Sequence, residues 1–373
     1  MKFRNLYIHV PFCRSKCAYC AFYSLENASP KKMEEWLDQL SRHLESALPD
    51  CEAFRSIYIG GGTPTLLPVP LLKRLFGRIR SLADILPDAE ISMECNPGTL
   101  TEAKAEAAAG FVNRVSMGVQ SFRPENLRRI GRRSGDLRSV SPAFSLWRSV
   151  GIRNIGIDLI YAIPGQTLEE WTDDLEQAAA LKPDHLSAYS LSLEEGSRLD
   201  SLFRENENPE KFPDDAAAAD MWEAAGDILL SKAGLPRYEI SNYASSSREC
   251  RHNQNVWHGD TLLGLGPAAA SFDGTLRFTQ IPSLSAWLSG APPENDPLPK
   301  EKRAREIFVM GLRTVRGWRA EEFCDASGGI AWDCFARDIE RCADDDLLEL
   351  SSDTVRPTHK GLLFWNTLAG ELI

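Results

Sequence analysis

Long hydrophobic runs are missing from this sequence. No stretch approaches the roughly 20 consecutive apolar residues that a helix needs to cross a bilayer. The first residues, MKFRNLYIHVPFC, also have too short an apolar segment for a signal peptide and no small-residue cleavage site. These absences predict a cytoplasmic protein, for which peripheral contact with a membrane surface stays open.

A basic surface is missing as well. The formal net charge is −11, whereas proteins that bind nucleic acids broadly present a positively charged face to the phosphates. The charge therefore predicts that nucleic acid is not a partner. A small basic pocket for an anionic ligand is still compatible with it.

Paired CxxC arms that lie far apart in sequence, as in most structural zinc sites, are absent too. The chain has nine cysteines, and a reducing cytoplasm disfavours disulfides between them. Scattered cysteines are usually small, partly buried apolar side chains. This interpretation applies to Cys51, Cys95, Cys250, Cys324, Cys334 and Cys342.

The remaining three cysteines, Cys13, Cys17 and Cys20, are clustered with the spacing C-x3-C-x2-C. Thiolates are soft ligands that suit iron–sulfur clusters, zinc and copper. Three thiolates would ligate three irons of a 4Fe-4S cluster and leave the fourth iron open to a cofactor. Two alternatives remain at this point: unliganded structural cysteines, or a zinc site completed by a residue such as His9.

Short β-rich runs alternate with amphipathic helical stretches through about residue 200. Such βα units in succession indicate an α/β fold with a parallel sheet and outer helices. Because a full barrel has eight strands, the pattern predicts a partial (β/α)6 TIM-like barrel, with a doubly wound open sheet as the alternative. The predicted strands are Asn5–Val10, Ser56–Ile59, Glu90–Glu94, Arg114–Val119, Asn154–Ile160 and His185–Leu191. The predicted helices between them are Lys31–Ala47, Leu71–Leu82, Thr101–Ala109, Leu137–Val150 and Leu168–Leu181.

The composition changes along the second half of the chain. Residues 1–235 are assigned to the barrel, with a polar surface loop over 201–215 and a helix over 216–233. Residues 236–295 include a stretch rich in Ser, Asn and Gly with little periodicity, which predicts a connecting segment. Residues 296–373 return to a helical pattern and predict a smaller, mostly α-helical C-terminal domain.

Polar and glycine-rich residues follow several of the predicted strands, where βα barrels bind their ligands. The turn Gly60–Gly62 allows a close approach of the backbone to a ligand. Glu94 and Gln120 end two strands, and Arg132 follows in a position from which a guanidinium can clamp a carboxylate. Asp158 interrupts an apolar run and requires a partner there. These residues predict a binding site around one barrel mouth.

The combined motifs resemble the oxygen-independent coproporphyrinogen III oxidase-like family of the radical S-adenosylmethionine (SAM) superfamily. The matching segments include IHVPFCRSKCAYC, IGGGTPTLL, ECNPGTL, NRVSMGVQSF, GIDLIYAIPGQT and LGLGPAAASF, and the resemblance extends over nearly the whole chain. It implies a barrel of the radical SAM type, with a 4Fe-4S cluster on Cys13, Cys17 and Cys20. It also implies contacts to S-adenosylmethionine from Tyr7, Gly61, Gly62, Thr63, Glu94, Gln120, Arg132 and Asp158.

The resemblance leaves two functions open: an oxidase that decarboxylates coproporphyrinogen III propionates, or a heme chaperone that binds heme and passes it to acceptor proteins such as respiratory enzymes. The oxidases carry a fourth cysteine two residues after the third, where this chain has Phe22, and an extension before the cluster for which there is no room here. Both features favour the chaperone. A homodimer is a further expectation of the resemblance.

A candidate heme ligand, His252, lies in a segment that resembles the HNxxYW heme motif of the chaperone branch. The alternative is a surface or capping histidine. Three residues depart from the family pattern: Val256 in place of Tyr, Ala270 where His is common, and Ala21 in place of Asp. The first two bear on heme affinity, and the third bears on the surroundings of the cluster.

Overall fold

The computed structural model describes residues 2–132, 137–205 and 210–373. Its strands are β1 (Phe3–Val10), β2 (Phe12–Cys13), β3 (Leu25–Glu26), β4 (Cys51–Gly61), β5 (Ile85–Cys95), β6 (Arg114–Gln120), β7 (Asn154–Tyr161), β8 (His185–Ser190), β9 (Arg237–Glu239), β10 (Asn242–Ala244), β11 (Leu262–Leu265), β12 (Ala270–Phe272), β13 (Arg277–Thr279), β14 (Glu294–Asp296), β15 (Trp318–Arg319), β16 (Leu348–Leu350) and β17 (Thr354–Pro357). Its α-helices are α1 (Pro30–Ala47), α2 (Val69–Leu82), α3 (Glu102–Ala109), α4 (Pro124–Arg129), α5 (Val140–Ser149), α6 (Leu168–Ala180), α7 (Arg198–Arg204), α8 (Asp215–Ile228), α9 (Arg251–Trp257), α10 (Leu284–Leu288), α11 (Lys300–Gly311), α12 (Ala320–Ala326), α13 (Ala336–Asp344), α14 (His359–Leu363) and α15 (Trp365–Leu372).

A large sheet contains the six predicted strands side by side and in chain order. The order is β14-β13-β12-β11-β1-β4-β5-β6-β7-β8-β10-β9, and every pair from β11 through β8 is parallel. The helices α1, α2, α3, α5 and α6 separate these strands in sequence, as βα units require. This arrangement is the predicted partial barrel of parallel strands.

The two faces of the barrel strands differ in chemistry. On β1, Leu6 and Ile8 are fully buried in the apolar core, which also includes Trp36 of α1. The alternate positions of the same strand, Asn5 and Tyr7, are polar. Because side chains alternate along a strand, the helices cover an apolar face while polar groups point into the barrel. The barrel interior is therefore built to bind polar ligands.

The segment predicted as a connection, 236–295, contributes strands to both sides of the sheet. Residues Leu262–Leu265 pair in parallel with β1, and β12, β13 and β14 continue that side as antiparallel strands. On the other side β10 pairs antiparallel with β8. These strands are only three or four residues long, too short to show a clear alternation in sequence.

Helix α9 lies across the strand beginnings and packs against β4 and β5. Its first backbone amides are held by Glu90 of β5, which accepts hydrogen bonds from Arg251 N at 2.9 Å and His252 N at 3.1 Å. A carboxylate at the start of a helix satisfies amides that have no partner within the helix. The helix thus closes the barrel at the end opposite the predicted binding site.

The polar loop predicted over 201–215 is wrong in its first part, because α7 extends to Arg204. Residues 206–209 of that prediction lie outside the described residues. The helix predicted over 216–233 is present as α8, continued by one π-helical turn at Leu229–Ala233.

The C-terminal region has its own apolar core, formed by residues such as Phe308, Trp318 and Phe323. It consists of α11 to α15 with a small sheet in the order β15-β17-β16. Arg313 connects this region to the barrel through an ion pair with the fully buried Glu239, at 2.5 Å. The same guanidinium contacts the ring of Trp257, the last residue of α9. No helix in the described ranges has the length and apolar character to cross a bilayer.

Candidate functional site

A cavity of ≈ 620 Å³ opens at the carboxyl ends of the barrel strands. It brings together most of the residues predicted from the sequence. The predicted residues that line it are Cys13, Cys17, Cys20, Gly61, Gly62, Thr63, Glu94, Gln120, Arg132 and Asp158. Tyr7 and His252 are not among the lining residues.

Cys13 ends β2, and Cys17 and Cys20 lie in the loop that connects β2 to β3. The two short strands pair with each other and bring the ends of this cysteine loop together. The loop is anchored by a hydrogen bond from Ala18 N to Ile130 O at 3.1 Å. All three thiols are partly exposed. Burial raises the pKa of Cys13 and raises the pKa of Cys20 to about 11. Cluster assembly must therefore displace thiol protons.

The donor set fits a cluster better than a single ion. Within the described part of the chain, no three His, Cys, Asp or Glu side chains are grouped so that they could hold one metal ion. His9, the candidate fourth zinc ligand, instead makes hydrogen-bond contacts through both ring nitrogens, with Tyr7 Oη at 3.0 Å and the Tyr23 carbonyl at 2.8 Å. A cubane takes one thiolate on each of its irons, which suits three thiols spread along one loop.

The triple-glycine turn supports the cysteine loop directly. Gly62 N donates to Val10 O and Thr63 N donates to Phe12 O, both at 2.8 Å. A Cβ atom on Gly62 would lie 2.7 to 2.9 Å from backbone atoms of Val10 and Phe12, closer than non-bonded atoms pack. Gly61 has φ +102°, a conformation that favours glycine. The glycines thus allow close contact with the protein's own loop, in addition to the ligand contact that the sequence predicts.

Glu94 and Asp158 are the acidic residues of the cavity wall. Glu94 accepts hydrogen bonds from Tyr58 Oη and Gly61 N, each at 3.0 Å. Asp158 accepts from Ser116 Oγ at 3.0 Å. Burial, reinforced by the neighbouring Asp158 carboxylate, raises the pKa of Glu94 to about 7, and burial also raises the pKa of Asp158. Two buried carboxylates facing one cavity favour a cationic ligand.

Gln120 ends β6, the strand between those of Glu94 and Asp158, and Arg132 contacts the same strand end. Arg132 donates to Gly118 O at 2.5 Å, and its other terminal nitrogen is 4.0 Å from Cys17 Sγ. Gln120 has φ +73°, which is unusual for a residue with a side chain. The guanidinium therefore joins the end of β6 to the cysteine loop.

Asp174 of α6 is a residue of this site that the sequence analysis missed. Its fully buried carboxylate accepts hydrogen bonds from Ser121 Oγ and Phe122 N, both at 2.6 Å, directly after Gln120. These bonds hold the chain in the strained conformation of Gln120. The sequence does carry a signal for this role, since Asp174 occupies an apolar position in the helix pattern. A carboxylate that is buried in this way needs hydrogen-bond donors nearby.

Two family models match the chain at the ends that carry these features. The Radical SAM superfamily model matches residues 7–178, and the HemN C-terminal domain model matches residues 298–364. Heme chaperone HemW of Escherichia coli (strain K12) is 34% identical over 98% of this chain and 96% of its own length. The chain belongs to the HemW family. HemW of Haemophilus influenzae and HemW of Bacillus subtilis (strain 168) are 33% and 30% identical, over 98% and 99% of this chain and 96% and 99% of their own lengths.

A solved structure shares the fold of this member of the HemW family. Coproporphyrinogen III oxidase (HemN) from Escherichia coli superposes with a TM-score of 0.83 and 22% identity, over 100% of this chain and 90% of that chain. The match confirms the predicted α/β partial barrel of the radical SAM type with a helix-rich C-terminal region. At this level of identity it establishes the fold alone. Membership of the superfamily implies a 4Fe-4S cluster and S-adenosylmethionine.

The HN segment that resembles the HemW motif is placed in an unexpected environment. His252 is only 5% exposed, and its Nδ1 lies 2.8 Å from Ser56 Oγ. Its ring packs 5.2 Å from the ring of Tyr58. Burial lowers the pKa of His252 to about 4, so the imidazole is neutral. This burial does not fit a surface histidine, which was one form of the alternative, and ligation of heme by His252 stays a prediction. Its neighbour Asn253 lines the cavity.

Proposed function

We propose that the protein is a heme chaperone that holds a 4Fe-4S cluster with S-adenosylmethionine and passes heme to acceptor proteins such as respiratory enzymes. The observation that carries this proposal is the identity to heme chaperone HemW along the whole chain, 34% over 98% of its residues. The cavity supports it, since the thiols, the glycine turn and the acidic wall surround one space. A cytoplasmic location and a homodimer belong to the same proposal.

The side chains around the cavity suit the two cofactors. Cys13, Cys17 and Cys20 would ligate the cluster, and the backbone at Gly61–Thr63 would contact S-adenosylmethionine. Glu94, Gln120, Arg132 and Asp158 would orient its polar groups, whereas Tyr7 would act from behind Tyr58, whose ring centroid lies 6.2 Å away. Bound together, the two groups supply one-electron chemistry at the sulfonium. The protein positions the reactants and keeps water from them.

The affinity for S-adenosylmethionine should depend on pH through Glu94. The pKa of this carboxyl is about 7, and its ionised form attracts the cationic ligand. We expect affinity to fall about tenfold between pH 8 and pH 6 as Glu94 becomes protonated. Equilibrium dialysis of the reconstituted protein measures this change. Glu94→Gln should bind weakly at every pH with a flatter profile, and an unchanged profile in that variant would exclude Glu94 as the titrating group.

Heme ligation by His252 is the part of the proposal that requires movement. The imidazole is neutral, which is the form that binds iron, but the barrel covers it. Ligation would require the first turn of α9 to leave Ser56 and Glu90. Ser56→Ala removes one restraint on the ring while keeping the imidazole, so this variant separates ligation from a purely structural role.

The decisive experiment is one anaerobic reconstitution followed by heme titration. We expect His252→Ala to lose heme binding and Ser56→Ala to bind heme at least as tightly as the unsubstituted protein. His359→Ala is the control, because His359 is exposed and pairs with Glu223 away from the cavity. If His252→Ala keeps the full heme spectrum and stoichiometry, His252 is not the ligand.

Oxidative decarboxylation of coproporphyrinogen III is the second candidate function. The fold that this chain shares with the Escherichia coli oxidase is compatible with it, whereas Phe22 at the position of the oxidases' fourth cysteine favours the chaperone. Phe22 is 62% exposed at the cavity mouth. The same reconstituted sample should form no protoporphyrinogen from coproporphyrinogen under reducing conditions. Formation of that product would overturn the chaperone proposal.

A further inference from the structure

Arg114 is a buried cation at the cavity floor whose hydrogen-bond donors are largely unused. Its side chain lines the cavity and the residue is only 2% exposed. One terminal nitrogen donates a long hydrogen bond, 3.4 Å, to Ser92 Oγ, and Nε has no partner among the described residues. A guanidinium has five N–H donors, and a buried donor without an acceptor is costly. Something beyond these contacts is needed to complete it.

The nearby carboxylates are engaged elsewhere. Glu90 receives the first amides of α9, and Glu94 receives Tyr58 Oη and Gly61 N. Asp158 is held by Ser116 Oγ. Over the described ranges, none of these carboxylates forms an ion pair or a hydrogen bond with Arg114. Although burial opposes its charge, Glu90 is close enough to favour the charged guanidinium and to raise its pKa, but none of the three carboxylates accepts a hydrogen bond from it, so most of its N–H donors stay open to the cavity.

His185 provides a second unpartnered donor at the floor. Its Nε2 lies 2.9 Å from Tyr238 Oη, and that oxygen already accepts a hydrogen bond from Cys250 N. When the phenol donates its proton to Nε2, the ring proton lies on Nδ1; this tautomer is an assignment, because the phenol oxygen can also accept a second hydrogen bond. Nδ1 is buried and has no partner in the described structure, and burial lowers the pKa of His185 well below its usual value. The ring is thus a neutral N–H donor.

A glycine on the strand between the two donors lies beside His185 and two residues beyond the register partner of Arg114. Arg114 begins β6 and His185 begins β8, while β7 lies between these strands. On β7, Gly156 is the register partner of both Ser116 and His185. A Cβ atom at Gly156 would lie 3.2 Å from Nδ1 of His185. The glycine therefore leaves room at the ring nitrogen, on the inner side of the barrel.

We infer that the cavity floor is a carboxylate-binding subsite, with Arg114 and His185 as its donors. A carboxylate matches the planar fork of a guanidinium and accepts a further N–H from the neutral imidazole. The carboxylate belongs either to a small free acid or to a propionate arm of heme; the second source rests on the proposed chaperone function.

Sodium propionate and propionamide test the subsite on the full-length apoprotein at constant ionic strength. Propionate should raise the unfolding temperature in a saturable way, and the uncharged amide should not. Arg114→Gln should weaken propionate binding about 10- to 100-fold, since hydrogen bonds to charged groups contribute about 1.5–3 kcal/mol. Arg303→Gln is the matched control: Arg303 is also buried, but it pairs with Glu306 outside the cavity.

The inference is wrong if propionate and propionamide shift the unfolding temperature equally. It is also wrong if propionate stabilises Arg114→Gln as much as the unsubstituted protein. Either result would indicate that the cavity floor holds only water. If Arg114→Gln does not fold, His185→Asn provides the test. We expect this variant to lose several-fold in propionate affinity, and an unchanged affinity would count against the subsite.

A titration with heme and with heme dimethyl ester then separates the two sources of the carboxylate. If the protein binds heme more tightly than the dimethyl ester, and Arg114→Gln abolishes this difference, the subsite binds a propionate arm of heme. If heme and its ester bind equally well, the subsite binds a small acid. The propionate result stands even if heme does not bind.

Discussion

Replacement of Cys17 by serine is expected to abolish assembly of the iron–sulfur cluster. Cys17 lies in the middle of the cysteine loop, with its sulfur 4.0 Å from Arg132. A serine hydroxyl is a poor ligand for the irons of a cubane, which proteins hold by soft thiolates. Iron content after anaerobic reconstitution should fall from about four per chain to background. Iron and sulfide analysis with absorption spectra measures the loss.

Cys334→Ser is the control for this experiment. Cys334 is the exposed cysteine of the C-terminal region, so its thiol is open to reagents but distant in the fold from the loop. The variant should take up iron like the unsubstituted protein. Full cluster content in Cys17→Ser, or equal loss in both variants, would contradict ligation by the clustered cysteines.

Gly62→Ala is expected to have the second large effect. The added methyl group would meet the backbone at Val10 and Phe12, where no flexible side chain can move aside. The loop that begins at Cys13 must then shift. Forcing extra atoms into a packed site typically costs about 1–3 kcal/mol. We expect a loss of this size in the free energy of unfolding, together with weak cluster retention and weak binding of S-adenosylmethionine.

A second glycine provides a matched control for that substitution. Gly77 lies within α2, and a Cβ atom there would meet nothing within 4 Å. Gly77→Ala should stabilise the helix by about 0.5–1 kcal/mol, since alanine favours helices over glycine. Denaturant unfolding and iron analysis of both variants compare their stability and their cluster content. Similar stability and cluster content in the two would mean that the glycine turn does not support the loop.

Much of the fold was predictable because the sequence signals are local. The strands β4 to β8 each carry a β-rich run followed by a helical pattern, and their order along the chain is their order in the sheet. Most of the cavity residues were also predictable. Polar residues near the ends of parallel strands meet at one edge of the sheet, so sequence position brings Glu94 and Gln120 together, whereas Asp158 reaches the same cavity from within β7.

Other features depend on contacts between distant parts of the chain. The pairing of β11 with β1 joins residues more than 250 positions apart, through a strand of four residues. Asp174 reaches the end of β6 from the face of a helix. The burial of His252 is set by Ser56 and Glu90, which a motif does not reveal. Arg114 stands within the apolar-looking segment NRVSMGV, where its position inside the barrel becomes evident only from the fold.

The ion pair between Arg313 and Glu239 limits how this protein can be divided or recombined. Glu239 is fully buried at the edge of the barrel, and its cation comes from beyond α11. Loss of one member of such a pair costs about 3–5 kcal/mol, a large share of the 5–15 kcal/mol by which typical domains are stable. The guanidinium also contacts Trp257 and Trp365. The barrel and the C-terminal region therefore depend on each other for stability, and exchange of either one with that of a relative requires that this contact be preserved.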